Sequence, residues 1–214
     1  MTILTPQLIQ TTGLVPEMFD NRTLYRIEEI FCELDRAETL VFLDTEATGN
    51  GVSTRLVEVG AYEVDLNEQP AGGIRFRVNP HRKSSAGAKK VHGIYDCELE
   101  HCREFGYYAD ELRAYLRGKT VVIHDKTSDL RWLNYEYSLI DPTLPPIETE
   151  MTVVDSLEIA KLLSAGRRKN GLDALCRWYG YERSGLYHDA YSDAVLLSRV
   201  FFELWWEMDD VLNG

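Results

Sequence analysis

The 214-residue sequence predicts an α/β fold in which one mixed five-stranded sheet carries helices on both of its sides. Three strand-like segments in the first half of the chain are separated by turn residues around 49–53 and 69–73, the pattern of an antiparallel meander. Helix-like and strand-like segments then alternate, and this combination indicates a mixed sheet. No internal repeat or linker is evident, so the main body is expected to be one domain.

Residues 1–36 are expected to form an extension in front of the main domain, residues 37–214. The extension carries one predicted amphipathic helix at residues 21–36, with Asn21 as its N-cap. Its apolar residues follow helical spacing: Leu24, Ile27, Ile30, Phe31 and Leu34.

The remaining elements follow from hydrophobic periodicity and turn residues. The predicted strands are residues 39–47, 55–66, 74–79, 120–124 and 151–156. The predicted helices lie near residues 108–117, 128–140, 156–165, 171–179 and 190–212. Trp205 and Trp206 in the last helix are expected to help pack the helix of residues 21–36 onto the core, and a partner surface is the alternative.

The composition is that of a globular protein, with 44% apolar and 27% charged residues. No segment predicts a membrane span or a secretory signal, and the four cysteines lack metal-binding spacing, so reduced thiols and a cytoplasmic location are expected. The formal net charge of −12 argues against a protein that coats nucleic acid by bulk electrostatics. Two basic groups, residues 81–90 and 167–169, are either solvated surface or phosphate contacts.

Two acidic residues end the first predicted strand, in the stretch LVFLDTEATG at residues 40–49. Residues i and i+2 of a strand point to the same face, so Asp44 and Glu46 are expected side by side. Two anions this close repel each other unless a positive charge lies between them. The stretch is therefore either a strand that runs out into solvent or one half of a metal site.

Three more polar residues follow other predicted elements. Asp129 lies in the first turn of a helix, where an acid also favours the helix dipole. Asp193 begins the apolar part of the last helix, and His188 lies in the preceding loop, where a solvated histidine is ordinary. Because sites form at the ends of elements in α/β sheets, the four carboxylates together predict a site for Mg²⁺ or Mn²⁺. Two such ions catalyse in-line displacement at phosphorus.

Four motifs, in this order, resemble those of the DEDDh (DnaQ-like) 3′–5′ exonucleases, the family of the proofreading epsilon subunits of bacterial DNA polymerase III. They are DTEATG at 44–49, VHGI at 91–94, IHDKTSD at 123–129 and HDAYSDA at 188–194. The resemblance covers about residues 39–205. A single D-x-E motif is common by chance, whereas the four motifs in order are specific.

The resemblance implies a ribonuclease H-like fold and an enzyme that releases 5′-mononucleotides from 3′ ends with two Mg²⁺ or Mn²⁺ ions. It assigns Asp44, Glu46 and Asp193 to one metal ion, with Asp44 bridging to a second ion that Asp129 supports. It makes His188 a mobile general base, which suits an imidazole with an unperturbed pKa of about 6.5. The implied substrate-binding residues are Thr45, Ala47, Thr48, Val91, His92 and His124.

Some positions depart from the family pattern. Ala47 stands where threonine is usual, Asp125 where asparagine follows the histidine, and Ser128 where phenylalanine precedes the third acid. These changes remove no catalytic group and bear on substrate preference. Asp189 places a further acid beside His188 and is expected to favour the imidazolium form.

The expected partner is the 3′ end of single-stranded nucleic acid, with DNA favoured over RNA and no membrane partner. A DEDDh exoribonuclease resembling oligoribonuclease or ribonuclease T is the alternative, and recognition of a ribose 2′-OH would separate the two. A domain that binds nucleic acid without catalysis is disfavoured because all five catalytic residues are present. The aromatic residues considered for base stacking are Tyr95, Tyr107, Tyr108, Tyr187 and Tyr191.

A stand-alone or accessory nuclease is expected, because no linker and clamp-binding tail follow the last predicted helix. A homodimer copy or an accessory protein is the partner that such an enzyme would have. The first 36 or so residues have no counterpart in the family pattern.

Overall fold

The computed structural model describes residues 14–164, 167–183 and 185–213, and these residues form one five-stranded sheet. The strands are β1 (Thr39–Ala47), β2 (Leu56–Asp65), β3 (Pro70–Arg77), β4 (Thr120–Ile123) and β5 (Thr152–Asp155). Their order is β3-β2-β1-β4-β5, with antiparallel pairing among β3, β2 and β1 and parallel pairing among β1, β4 and β5. The predicted mixed sheet is therefore confirmed. The first thirteen residues of the predicted extension lie outside the described residues.

Helices cover both faces of the sheet, as predicted. The α-helices of the described residues are α1 (Asn21–Leu34), α2 (Ala86–His92), α3 (Asp96–Leu99), α4 (Phe105–Leu116), α5 (Lys126–Ile140), α6 (Ser156–Leu162), α7 (Leu172–Tyr179) and α8 (Ala190–Asn213). One core contains side chains of α1, α6, α7 and α8, and a second core on the other face contains side chains of α4 and α5. Within the described residues, no helix is both long and apolar enough to cross a lipid bilayer.

Strand β1 lies at the centre of the sheet and contributes to both cores. Leu40 and Phe42 point into the core with α8, whereas Val41 and Leu43 point into the core with α4 and α5. Strand β4 pairs with β1 only from Leu40 to Phe42, so the carboxyl-terminal half of β1 has no parallel neighbour. A notch therefore opens beside the end of β1, where side chains from both faces of the sheet can meet.

Helix α1 packs on the carboxyl-terminal part of α8. Its buried apolar face shares a core with α8, and the Phe31 ring meets the Trp205 ring edge-to-face at 6.1 Å. The expected packing of this helix onto the core is thus present. The cap prediction is off by one residue, because the Asp20 carboxylate, not Asn21, accepts the hydrogen bond from the backbone N–H of Thr23 at 2.7 Å.

Strand β3 begins at Pro70, whereas the sequence predicts its start at residue 74. The prediction is late because residues 69–73 indicate a turn. The turn lies at residues 66–69, where the Asp65 carboxylate accepts hydrogen bonds from the backbone N–H groups of Asn67 and Gln69. Because β3 is an edge strand, it tolerates the proline and the glycines that elsewhere interrupt strands.

Two short helices, α2 and α3, are not predicted by the sequence. The Ser85 Oγ caps α2 by accepting a hydrogen bond from the backbone N–H of Ala88, and Gly93 ends it in the left-handed region with φ of 68°. A Cβ atom at position 93 would lie 2.4 Å from the Tyr187 ring, so the space also requires glycine. The VHGI motif therefore forms the end of α2 and packs against the loop before α8.

Candidate active site

The predicted acids converge on the notch at the end of β1. Asp44 and Glu46 lie on the face of β1 that packs against α8, where Asp193 occupies the first turn. Asp129 comes from the first turn of α5 on the opposite face, where it accepts a 2.6 Å hydrogen bond from the Thr45 hydroxyl. These residues line a cleft of about 210 Å³ together with Val91, His124, Asp125, Ser128, Trp132 and His188.

His188 lies beside the acids in the loop before α8. Its Nδ1 atom is 2.9 Å from Asp193 Oδ2, and its Nε2 atom is 3.8 Å from Asp173 Oδ2. The backbone N–H of His188 donates to the Val91 carbonyl oxygen at 3.0 Å, which ties this loop to the end of α2. One ligand atom each from Glu46, His188 and Asp193 lies within 4.8 Å of the other two.

The carboxylates of the cleft carry more negative charge than the neighbouring cations balance. Burial raises the pKa of Asp44 well above its usual range, and the charges of Asp129 and Glu46 raise it further. Burial is also the main cause of the raised pKa values of Glu46 and Asp129. Arg183, which forms an ion pair with Asp193, opposes the pKa shifts of Asp44 and Glu46 in part.

These residues fit a divalent cation. Carboxylate oxygens are the ligands that Mg²⁺ and Mn²⁺ prefer, and a cation beside buried carboxylates favours their charged form. Asp44, Glu46, Asp129 and Asp193 are the acids that could hold such an ion. His188 also lies within the group of closely spaced ligand atoms.

The expectation that Asp189 favours the imidazolium form of His188 is wrong. The Asp189 carboxylate forms an ion pair with Arg75 of β3, so its charge is already balanced. Burial lowers the pKa of His188 below its ordinary value, Arg183 lowers it further, and Asp173 opposes the shift.

Three of the six predicted substrate-binding residues, Thr45, Val91 and His124, line the cleft. The other three do not. Ala47 is buried where the pairing of β1 with β2 becomes irregular. Thr48 exchanges hydrogen bonds with Arg55 and so closes the hairpin between β1 and β2.

His92 is the third of these residues and is buried at the end of α2, where its Nδ1 accepts a hydrogen bond from the backbone N–H of Ile94 at 2.9 Å. Asp125, the departure from the usual asparagine, adopts left-handed backbone geometry with φ of 63° before α5. Asparagine and aspartate both tolerate this conformation, so the change keeps the backbone of the cleft wall.

The two basic groups differ in their surroundings. Arg167 is buried and pairs with Glu207 at 2.8 Å, so it is neither solvated surface nor a phosphate contact. In residues 81–90, Lys89 pairs with Asp96, while Lys83 and Lys90 are exposed. Exposed cations therefore remain in both groups, Lys83 and Lys90 in residues 81–90 and Arg168 and Lys169 in residues 167–169.

Glu58 lies behind the cleft and supports the start of α8, although the sequence analysis did not single it out. It is fully buried, lies opposite Glu46 in β2, and accepts hydrogen bonds from Arg77 and from the backbone N–H of Ala190 at the start of α8. Nearby, a Cβ atom on Gly60 would lie 2.2 Å from the Tyr191 backbone nitrogen, so α8 begins in direct contact with β2. The available signal was an acid inside a run of apolar strand residues, a feature that Glu63 shares in the same strand.

The fold and the cleft together define a class of enzyme, a nuclease in which acids from separate elements of an α/β sheet meet one histidine. A sequence profile of the exonuclease family (RNase_T) matches residues 41–201. The chain therefore belongs to this family, and it is a 3′–5′ exonuclease of the DEDDh type. The family uses divalent metal ions.

Comparisons with individual proteins agree with this assignment. The chain is 34% identical over 171 residues to the DNA polymerase III subunit epsilon of Escherichia coli strain K12, covering 77% of this chain and 70% of the relative. It resembles the nuclease domain of 3′hExo, a DEDDh family member solved with rAMP, with a TM-score of 0.69 and 13% identity over 82% of this chain and 96% of the other. It also resembles E. coli exonuclease I bound to a dA16 oligonucleotide, with a TM-score of 0.62 and 18% identity over 78% of this chain and 42% of the other. The implied ribonuclease H-like fold is confirmed.

Proposed function

We propose that this exonuclease removes 5′-mononucleotides one at a time from the 3′ end of single-stranded DNA with two divalent ions. The observation that carries the proposal is the cluster of acids beside one histidine at the end of β1, whose negative charge is not balanced within the protein. Asp44, Glu46, Asp129 and Asp193 would hold the ions, Mg²⁺ or Mn²⁺. When bound, the ions would activate water and neutralise the charge that develops on the phosphate.

His188 acts as the general base in this proposal. With a proton on Nδ1, the imidazole donates to Asp193 and keeps the lone pair of Nε2 free to accept a proton from the attacking water. Burial is the main cause that lowers the pKa of His188, and a lower pKa favours the neutral ring that can accept a proton. The water oxygen bonds to phosphorus while the P–O3′ bond breaks; the departing O3′ takes a proton from solvent, which leaves a 3′-hydroxyl on the shortened strand and releases a 5′-mononucleotide.

The remaining roles are assigned from position. Val91 and His124 line the cleft and would contact the terminal nucleotide, and Thr45 orients Asp129 through its hydroxyl. The catalytic unit proposed is residues 37–214, with residues 1–36 as an extension whose helix packs on α8. The preference for DNA is supported by the relatives, which are subunits of a DNA polymerase.

The proposal is tested with DNA and RNA oligonucleotides of one sequence, labelled at the 5′ end and incubated with Mg²⁺ or Mn²⁺. We expect a ladder that shortens from the 3′ end of DNA and that disappears with EDTA and in the Asp44→Ala variant. Asp110→Ala, which changes an exposed acid on α4, is the matched control and should retain the ladder. Faster degradation of RNA would establish the exoribonuclease instead, and no cleavage of either strand would contradict an active nuclease.

A further inference from the structure

Helix α5 presents an aromatic and a basic side chain beside the cleft. Trp132 lines the cleft with Ser128 and Asp129. Residues three and four apart share a helix face, so Arg131 and Trp132 both neighbour Ser128 on the helix surface. The guanidinium carbon of Arg131 lies 5.9 Å from the centre of the Trp132 ring. The small side chain of Ser128 leaves the path from Asp129 to the indole uncrowded.

Trp132 differs from the other side chains of the cleft. It is the only Phe, Tyr or Trp among the residues that line it, within the part of the chain that the structure describes. Its ring is half-buried and packs against the core between the sheet and helices α4 and α5. Its Nε1 atom is buried without a hydrogen-bond partner in the described residues, so no polar contact explains why an indole occupies this position.

Arg131 differs from the other arginine near the acids. Arg183 is engaged by Asp193 and Asp173, whereas Arg131 is exposed and, across residues 14–164, 167–183 and 185–213, forms no ion pair. The chain carries a net charge of −12, and the cleft itself is lined by acids. An unpaired cation at this place attracts an anionic strand toward a site that otherwise repels it.

The position of the terminal nucleotide indicates the side of the cleft from which the nucleic-acid strand continues. The proposed function places Val91 beside the terminal nucleotide, and Val91 is tied to the loop of His188, which lies on the α8 face of the sheet. Helix α5 approaches the notch from the opposite face. The nucleotide on the 5′ side of the scissile phosphate is therefore expected to lie against α5.

We propose that Trp132 and Arg131 form a binding subsite for this second nucleotide, in which the indole stacks on its base and the guanidinium binds its phosphate. The inference rests on the proposed function. Stacking on an aromatic ring tolerates any base, and a guanidinium suits phosphate oxygens, so the ligand is a single strand of any sequence. The subsite acts only on substrates of two or more nucleotides.

The test compares a single-stranded DNA oligonucleotide with the p-nitrophenyl ester of thymidine 5′-monophosphate, which has no nucleotide on its 5′ side. In the Trp132→Ala variant, the KM for the oligonucleotide should rise by about 5- to 150-fold, the range for loss of one base–aromatic stack. The KM for the ester should rise by less than the KM for the oligonucleotide, because the ester has no second base to stack on the indole. Trp132→Phe retains a ring and should recover most of the affinity.

The Arg131→Gln variant tests the phosphate contact and changes only an exposed side chain, so it remains informative if Trp132→Ala does not fold. Its KM for the oligonucleotide should rise, and the slope of log KM against log salt concentration should fall by about 0.7, the value for one phosphate contact on a single strand. The matched control is the Arg103–Tyr107 pair outside the cleft, where the guanidinium carbon lies 5.3 Å from the ring centre. Arg103→Gln and Tyr107→Ala should leave both substrates unaffected.

Indole fluorescence gives a readout that a structural role would not produce. An oligonucleotide with a 3′-terminal phosphorothioate, which resists hydrolysis, should quench the wild-type emission, and the quenching should be lost in Trp132→Phe. Equal losses on the oligonucleotide and the ester, or an unchanged KM in both Trp132→Ala and Arg131→Gln, would overturn the subsite. Failure of the wild-type enzyme to cleave either substrate would instead overturn the proposed function.

Discussion

Buried carboxylates occur in two kinds of surroundings in this protein. Outside the cleft each lies beside its own cation, in the pairs Glu58–Arg77, Glu63–Lys119, Glu136–Arg55 and Glu207–Arg167. Inside the cleft, Asp44, Glu46, Asp129 and Asp193 have one arginine among them, Arg183. The difference shows that buried charge is balanced internally where it supports the fold, and is left unbalanced where an external cation is proposed to bind.

The largest expected effect concerns whether His188 acts as a general base or as a ligand of that external cation. If His188 is a base and not a ligand, His188→Ala should lower kcat by about 10²–10⁴-fold while leaving the affinity for Mn²⁺ nearly unchanged. Affinity is measured by titration calorimetry, and rates with the labelled oligonucleotide. His81→Ala, which changes an exposed histidine paired with Glu104, is the control. A parallel loss of Mn²⁺ affinity would make His188 a ligand.

The next largest effect concerns the ion pair of Glu207 and Arg167, in which the two buried charges balance each other. Glu207→Gln leaves Arg167 buried without its partner charge, since both side chains are only 3% exposed. We expect the free energy of unfolding to fall by about 3–5 kcal/mol, measured by urea denaturation. Asp44→Asn is the same chemical change in the cleft, and because it removes repulsion it should stabilise the metal-free protein. Equal destabilisation by both variants would erase the distinction between the two surroundings.

Adding a divalent ion should stabilise the protein through the cleft. At a Mg²⁺ concentration about 100-fold above its Kd, binding to the folded state contributes about 2.7 kcal/mol, which is a rise in Tm of roughly 5–10 °C for a chain of this size. Calorimetry with and without EDTA measures the shift. Asp44→Asn should reduce it, while Glu136→Gln, outside the cleft, should retain it. A wild-type Tm that Mg²⁺ does not change would contradict the proposed binding.

The smallest effect is a pH dependence at another balanced acid, Glu63. Burial alone would raise its pKa, but hydrogen bonds from Lys119, Thr39 and Tyr115 outweigh burial and lower the pKa. Its contribution is therefore present above the unfolded pKa of about 4.3 and is lost as the pH falls through the lower folded value. Glu63→Gln should destabilise the protein by about 2 kcal/mol at pH 7.

Urea denaturation of both proteins at pH 7 and at a series of lower pH values checks this prediction, because the difference between them should shrink as Glu63 becomes protonated in the folded state as well. A difference that grows on acidification would show that Glu63 is not held in its charged form.

The main elements of the fold could be predicted because their apolar residues are periodic. Strand β1 matches its predicted bounds. Helix α5 starts two residues before its predicted start, and helix α8 starts at the predicted residue. Helices α2 and α3 could not be predicted in this way, since they have only seven and four residues, and α2 depends on a serine cap and a left-handed glycine. The predicted start of β3 was too late, because Pro70 and the following glycines indicate a turn when only the local sequence is considered. The edge of a sheet accepts these residues in a strand.

The site could be predicted in part for a related reason. Each of the acids Asp44, Asp129 and Asp193 stands at the end of an element, so its place follows from the local sequence. The surroundings of His188 could not be predicted, because Arg75, which engages the neighbouring Asp189, lies 114 residues away in the sequence. Glu58 became informative only when the register of β1 and β2 placed it opposite Glu46.

Helix α8 contacts Gly60 at Tyr191, close to the active site. The helix rises about 1.5 Å per residue, so along the helix Asp193 lies only about 3 Å from this contact, whereas Trp205, which packs against α1, lies about 21 Å from it. If the helix pivots as a rigid rod, a displacement of about 1 Å at Trp205 moves Asp193 by about 0.14 Å, within the ±0.2 Å tolerance of metal–ligand distances. A rigid α8 would therefore keep sequence changes in α1 from displacing the acid at the opposite end of the same helix.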